Sequence, residues 1–183
     1  LVRQSSLVVI DERHAAFGYR SLAPLVREFD NLMIVQTMET GAGLSGMPLA
    51  WAIAPPKLAR SLASYTRPTG IARGGVLAAL ATLDDKEYVE ATIRRVTAER
   101  SRLYRTLRKL SMVSSPYPSW GNFLLARIER GSAPFFTDKL AERGIHVHQV
   151  ENPELANHLR ISPTNSAATT ALKDALIEIA LEL

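Results

Sequence analysis

Leu7-Val8-Val9-Ile10-Asp11-Glu12 and, further on, Leu32-Met33-Ile34-Val35-Gln36-Thr37 followed by Met38-Glu39-Thr40-Gly41-Ala42-Gly43-Leu44-Ser45-Gly46-Met47-Pro48 decide the fold. Each opens on four consecutive apolar residues and then turns polar. A strand buried on both faces of a parallel sheet reads this way, whereas a strand with one wet face alternates. The small-residue loop leads to Leu49–Ala54, a third strand stopped by Pro55-Pro56. Strand, connector, strand, glycine loop and strand in this order predict an α/β sheet. In open sheets of that class ligands sit outside the carboxyl ends of the strands, so Asp11, Thr37 and the loop behind it are the first residues to question.

Working outward, Pro24 to Phe29 reads as a short helix between the first two strands, and Lys57 to Tyr65 as a helix opened by the proline pair. Arg67 to Gly75 is a loop. From Val76 to Leu110 the pattern is helical, with an interruption expected near Asp84-Asp85. Val89, Ile93, Val96, Leu103 and Leu107 fall close to helical spacing, and Arg94, Arg95, Arg100, Arg102, Arg105 and Arg108 mostly lie off that stripe. Glu87, Glu90 and Glu99 are interleaved with them, which marks a solvated face rather than a nucleic-acid stripe. After Ser114-Ser115-Pro116 the texture changes. Strands are expected at Asn122–Ile128, Ile145–Val150 and Leu159–Ile161. Helices are expected at Pro134–Arg143, closed by Gly144, and at Ser166–Leu183, capped by Thr164, Asn165 or Ser166. The chain divides on this reading into residues 1–75, a connecting helix at 76–112, and a small α+β unit at 113–183.

The composition of the 183 residues fits a globular chain: 46% hydrophobic and 22% charged, enough apolar surface for a core, which excludes wholesale disorder. The net charge of +4 is small and dispersed, and does not argue for nucleic acid. With no cysteine there is no disulfide, thiolate metal site or Cys nucleophile, and the expected compartment is the cytoplasm. No apolar run approaches the roughly 20 residues of a membrane helix. The first residues, Leu1 to Glu12, lack the features of a signal peptide and read as a chain entered midway, at the start of a strand.

Several side chains carry chemistry by type and place. Asp11, at a strand's carboxyl end, can hold a cation or a protonated ring nitrogen, or simply cap a turn; His14 follows by three residues and can look into the same pocket. The loop from Thr37 to Gly46 can wrap an anion with backbone N–H groups, or be only a tight crossing. It is neither a Walker motif nor a dinucleotide fingerprint. His146 and His148 alternate on an expected strand, so both face one way, but the next histidine, His158, is ten residues on. An exposed strand face is the expectation there, with no metal. Glu39 has the chemistry of a base.

Taken together, LVVIDERHAAF (7–17), NLMIVQTMETGAGLSGMPLAWAIA (31–54), SWGNFLLARI (119–128) and HLRIS (158–162) resemble the pyridoxal-phosphate-dependent aminotransferases of the type I fold. Within them the likeness is greatest to the histidinol-phosphate aminotransferase family and the neighbouring threonine-phosphate decarboxylases. It covers nearly the whole chain and corresponds to the later half of such an enzyme. It implies part of the large-domain sheet, seven-stranded and mostly parallel in the family, followed by the small C-terminal domain. It also implies roles. Asp11 would pair with the pyridine nitrogen of pyridoxal 5′-phosphate and keep the ring an electron sink. His14 stands where the family has a tyrosine that hydrogen-bonds the cofactor's phenolic oxygen. Thr37 would face the cofactor, Asn122 matches the asparagine of the small domain's Ala-Asn-Phe segment, and Arg160 matches the arginine that grips the substrate carboxylate.

The departures from the family pattern fall in one pocket. Thr40 occupies the position of the Schiff-base lysine, and a hydroxyl cannot form the internal aldimine. The next lysine is Lys57, too far on for a register slip. Pro48 replaces an arginine that helps hold the cofactor phosphate, and Pro68-Thr69-Gly70 replaces a Pro-Tyr-Asn segment. The resemblance therefore implies an aminotransferase-like protein without transaminase activity as it stands, with pyridoxal phosphate held non-covalently if at all. The alternative is part of a pyridoxal-phosphate enzyme acting on amino-acid phosphates or related amines, completed by an upstream half or another subunit. Homodimerisation, or a partner supplying that half, is expected because type I enzymes build their sites at a dimer interface. An amino-acid-like small molecule is the expected ligand, with no nucleic acid and no membrane.

Overall fold

The computed structural model describes residues 6–47, 49–65 and 70–183, so the expectations at Pro48 and at Pro68-Thr69 lie outside the described residues. The chain forms two compact units, Leu1–Ile93 and Arg94–Leu183.

In the first unit β1 (Val8–Asp11), β2 (Leu32–Thr37) and β3 (Ala50–Ile53) lie side by side in that order. β1 runs parallel to β2, with Val8 opposite Leu32 and Asp11 opposite Val35. β3 runs antiparallel to β2, with Thr37 opposite Ala50 and Ile34 opposite Ile53. The reversal follows from the connection. A parallel return needs a crossover of about a dozen residues or more, usually carrying a full helix. The segment after Thr37 holds only the one-turn α1 (Met38–Gly41) and turns at Gly43 and Gly46, both at positive φ.

Of the two strands expected to be buried, at Leu7–Ile10 and Leu32–Val35, only β2 holds to it, with Leu32, Met33 and Ile34 buried. β1 alternates half-buried Val8 and Ile10 with exposed Val9 and Asp11, and β3 exposes Ala50, Trp51 and Ala52. β2 has a strand on each side, and Val26 from a 3₁₀ turn at Ala23–Arg27 packs on its Leu32 and Ile34. That 3₁₀ turn replaces the short helix expected at Pro24–Phe29. β1 and β3, the edges of this sheet among the described residues, give that cluster only half-buried side chains, Val8, Ile10 and Ile53. Beyond the sheet come α2 (Pro56–Tyr65), α3 (Arg73–Asp84) and α4 (Lys86–Leu107). The expected interruption falls at Asp85, whose carboxylate accepts the Tyr88 N–H at 3.1 Å and starts α4 afresh.

The second unit carries β4 (Leu124–Arg127), α5 (Ala133–Glu142), β5 (His148–Gln149), β6 (His158–Ile161) and α6 (Ser166–Ala180). The sheet order is β4-β6-β5, antiparallel throughout. Its core is continuous: Leu103 and Leu107 of α4, Leu124 and Ala126 of β4, Phe136 and Leu140 of α5, Leu159 and Ile161 of β6, and Leu172, Leu176 and Ile179 of α6. Local chemistry sets the helix ends. Ser132 and Asn165 cap α5 and α6 by accepting the N–H groups of Phe135 and Ala168, and Gly144, at φ +71°, ends α5 in the left-handed conformation that suits glycine. Asn157 ties the unit together, accepting the Ala133 N–H at 2.7 Å and donating to the Ile128 carbonyl at 2.6 Å. The strand expected at Ile145–Val150 shrinks to the two residues of β5, so His146 lies outside it.

Candidate functional site

β1 delivers two adjacent carboxylates in opposite directions, because successive side chains of a strand leave opposite faces. Asp11 is exposed, and its neighbour Arg13 takes both oxygens: the backbone N–H at 3.0 Å to Oδ1 and Nε at 2.7 Å to Oδ2. Glu12 is 3% exposed and saturated with donors. Ser21 Oγ donates to it at 2.6 Å, the Leu22 N–H at 2.6 Å, and Gln36 Nε2 at 2.9 Å. Gln36 in turn accepts from Trp51 Nε1 at 3.0 Å, so one polar chain crosses all three strands from the loop after β1 to β3. Burial raises the Glu12 carboxyl, but the hydrogen bonds from Ser21, Leu22 and Gln36 outweigh it and hold the pKa below the ordinary 4.5.

This network borders a cavity of about 460 Å³ within the first unit, walled also by Tyr19, Met38, Thr37 and Trp51. Of the four residues that the sequence points to here, Thr37 borders it, and Asp11, His14 and Thr40 stand outside its lining. Thr37 is already committed: its Oγ1 donates to the Leu49 carbonyl at 3.1 Å and accepts the Glu39 N–H at 3.1 Å, capping α1. His14 precedes the 3₁₀ turn Ala15–Phe17, its carbonyl accepting the Phe17 N–H at 3.1 Å. Thr40 lies half-buried in α1 beside Gly41, whose position is fixed by close approach: a Cβ there would stand 2.9 Å from that of Ala16.

In the second unit Arg160 meets Phe123, the sequence neighbour of Asn122. The Arg160 guanidinium lies 4.3 Å from the centre of the Phe123 ring, a cation–π contact. Asn122 Oδ1 and Arg160 Nε are buried with no hydrogen-bond partner among the described residues. Such groups are costly unless something else satisfies them. His146 and His148 are both exposed, and among the described residues no cluster of three metal-ligating side chains occurs. No helix of the described residues is long and apolar enough to cross a membrane.

Glu12 is the residue that the sequence reading passed over. Its signal was present in the adjacent acidic pair at a strand end, but only the fold shows which carboxylate turns inward. Its chemistry is structural, since a carboxylate that accepts three hydrogen bonds has little basicity left for substrate. Glu12→Gln puts an amide against the donors of Ser21 and Gln36, and should lower unfolding stability by about 2 kcal/mol at neutral pH. The sign with pH follows from the lowered pKa: the stabilisation is present above the unfolded carboxyl value and is lost as pH falls below it. Denaturant midpoints of the parent chain should therefore drop between neutral pH and pH values below 4.5, and those of the glutamine variant should drop less. Parallel pH profiles would sink this account.

Comparisons with known proteins agree with this architecture. The sequence model of the family described as aminotransferase class I and II matches residues 1–177. A histidinol-phosphate aminotransferase of Dehalococcoides mccartyi is 33% identical over 171 residues, which is 93% of this chain and 48% of that protein. The chain thus spans about half the length of the curated relatives it matches. Among solved structures, histidinol-phosphate aminotransferase from Sinorhizobium meliloti, in complex with pyridoxal-5′-phosphate, superposes with a TM-score of 0.83 at 25% identity, over 96% of this chain and 49% of that one. L-threonine-O-3-phosphate decarboxylase from Porphyromonas gingivalis superposes with a TM-score of 0.84 at 20% identity, over 96% of this chain and 55% of that one, and speaks for the fold alone.

Proposed function

Because this chain belongs to the aminotransferase class I and II family, we infer that it is a histidinol-phosphate aminotransferase-like protein that does not itself carry out transamination. One observation carries the reading. Thr40 stands on α1 at the position that the sequence resemblance gives to the Schiff-base lysine, and residues 38–49 between β2 and β3 contain no lysine at all. When bound, pyridoxal phosphate supplies the family's electron sink. A threonine hydroxyl cannot condense with its aldehyde, nor take up and return a proton as an amine does. The surrounding groups do not fit a covalently held cofactor. Asp11 has both oxygens on Arg13, and the Thr37 hydroxyl is committed as donor and as acceptor.

What remains supports a receiving site for a carboxylate-bearing small molecule in the second unit. Arg160 offers a guanidinium fork with a buried Nε that has no partner among the described residues, and the oxygen of Asn122 is likewise buried without one. The open edges of β1 and β3 support assembly with a second copy, or with a partner that carries the remaining half of the fold.

The test is covalent labelling. The chain treated with pyridoxal phosphate and then borohydride should show, by intact mass, no specific single addition and no visible aldimine absorbance. Stoichiometric labelling of one lysine, with bleaching of a visible band, would overturn the reading. Thr40→Lys should not restore transamination by itself, because the amine returns without the rest of the site. Turnover by that single variant would show that everything else was in place.

A further inference from the structure

A cavity in the second unit, where α4 faces the loop before β4, is used by none of the chemistry above. It measures about 310 Å³ and is bordered by Arg100, Tyr104 and Arg105 of α4 and by Ser119 and Trp120 of the loop, with Leu124 as its floor. Arg100 and Tyr104 are four residues apart, so helical periodicity sets them on one face with Arg105 beside them.

The loop is pinned. Arg100 Nη1 donates to the Gly121 carbonyl at 2.6 Å, and the Gly121 N–H donates to Ser119 Oγ at 3.1 Å. Trp120 stands between these two anchors and is 56% exposed. A large aromatic left in water on an anchored loop presents stacking surface with little ordering left to lose on binding.

The electrostatics have one sign. Two guanidinium groups border the cavity and no carboxylate does. The nearest acid on this stretch of helix, Glu99, is taken by Arg102 at 3.1 Å, and Arg105 has no ion pair among the described residues. A further cation, Arg108, lies 5.8 Å from the centre of the Tyr104 ring. Guanidinium groups favour phosphate through paired N–H donors, and indole and phenol rings favour a flat aromatic partner. The volume lies at the lower end of the range of small-ligand sites, about 300–1,000 Å³.

We propose that this cavity binds an aromatic phosphate monoester of nucleotide size, its phosphate on the Arg105 side and its ring on Trp120. None of Asn122, Phe123 and Arg160 lines this cavity, and the proposal does not depend on the reading of Thr40. Adenosine 5′-monophosphate is the probe, because it has no aldehyde and cannot report a Schiff base. Calorimetric titration of the full chain should give saturable binding at one site. Adenosine and inorganic phosphate, each lacking one half of the recognition, should bind at least about tenfold more weakly. Arg105→Glu and Trp120→Ala change exposed side chains and should fold like the parent by circular dichroism, yet each should weaken the nucleotide about tenfold or more. Absence of saturable binding would overturn the proposal. So would equal binding of phosphate alone, or unchanged affinity in both variants.

Discussion

Phe136→Ala should lower the unfolding stability of the second unit by about 3–5 kcal/mol. The side chain is fully buried on α5, edge-on to Phe135 with ring centres 5.8 Å apart and planes 87° apart. Around it the packing is tight enough that a Cβ on Gly131 would stand 3.2 Å from the Phe136 ring. Gly131 also has φ +85°, so the turn before α5 depends on glycine and cannot readily shift to fill the hole. Truncation removes the transfer energy of a benzyl group and leaves a cavity between α5 and α6 that the capped helices are poorly placed to close. Domains of this size are stable by about 5–15 kcal/mol, so the loss is a large share of the total. Leu181→Ala is the matched control, since Leu181 is 84% exposed and should change stability by less than about 0.5 kcal/mol. Urea denaturation followed by far-ultraviolet circular dichroism reads both. A Phe136→Ala change below about 1 kcal/mol would mean that the core repacks around the loss.

The same packing explains what could be read from the sequence and what could not. The second unit was legible because its signals are local: Asn165 among the cap candidates, Gly144 as a helix end, and apolar residues at helical spacing on α6. The boundary at Asp85 was legible for the same reason. β1, β2 and β3 were found, but the environment of β1 was misjudged. Runs such as Leu7–Ile10 encode burial on two faces, and an apolar run carries no record of whether the covering layer is in the same chain. The antiparallel turn of β3 was missed because direction is set by the length and conformation of the segment after Thr37, not by the composition of the strand. At the site, type and spacing singled out Asp11, whereas the inward carboxylate is Glu12; a one-residue alternation decides between them. Asn122 and Arg160 lie 38 positions apart in sequence, and only the resemblance pairs them; what the fold adds is the contact of Arg160 with Phe123.

The purified chain should not behave as an isolated monomer, and the reason lies in the first unit. β1 and β3 are both sheet edges, with Leu7 and Val9 each 51% exposed along one and Trp51 along the other. Edges of this kind present unpaired N–H and C=O groups beside apolar side chains and pair readily with another chain. α3 adds a second apolar surface, exposing Val76, Leu77, Leu80 and Leu83 along its length. A helix that turns so many large aliphatic residues to water gains by covering them. By contrast, the cluster that holds this sheet has only Val26, Leu32 and Ile34 buried, with Val8, Ile10, Leu25, Phe29 and Ile53 half-buried around them, a thinner core than that of the second unit. Sedimentation velocity at micromolar concentration should therefore show species larger than the 20.1 kDa chain, with an interface burying more than about 1,000 Å². Leu77→Lys combined with Leu80→Glu, both at exposed positions of α3, should shift the population toward the monomer if the helix face carries the association. Persistence of the larger species in that variant would locate the contact at the strand edges instead, where Val9→Lys should then disperse it. A single sharp 20 kDa boundary from the parent chain, with cooperative unfolding, would refute the argument, for it would mean that β1, β3 and α3 are stable while bare to water.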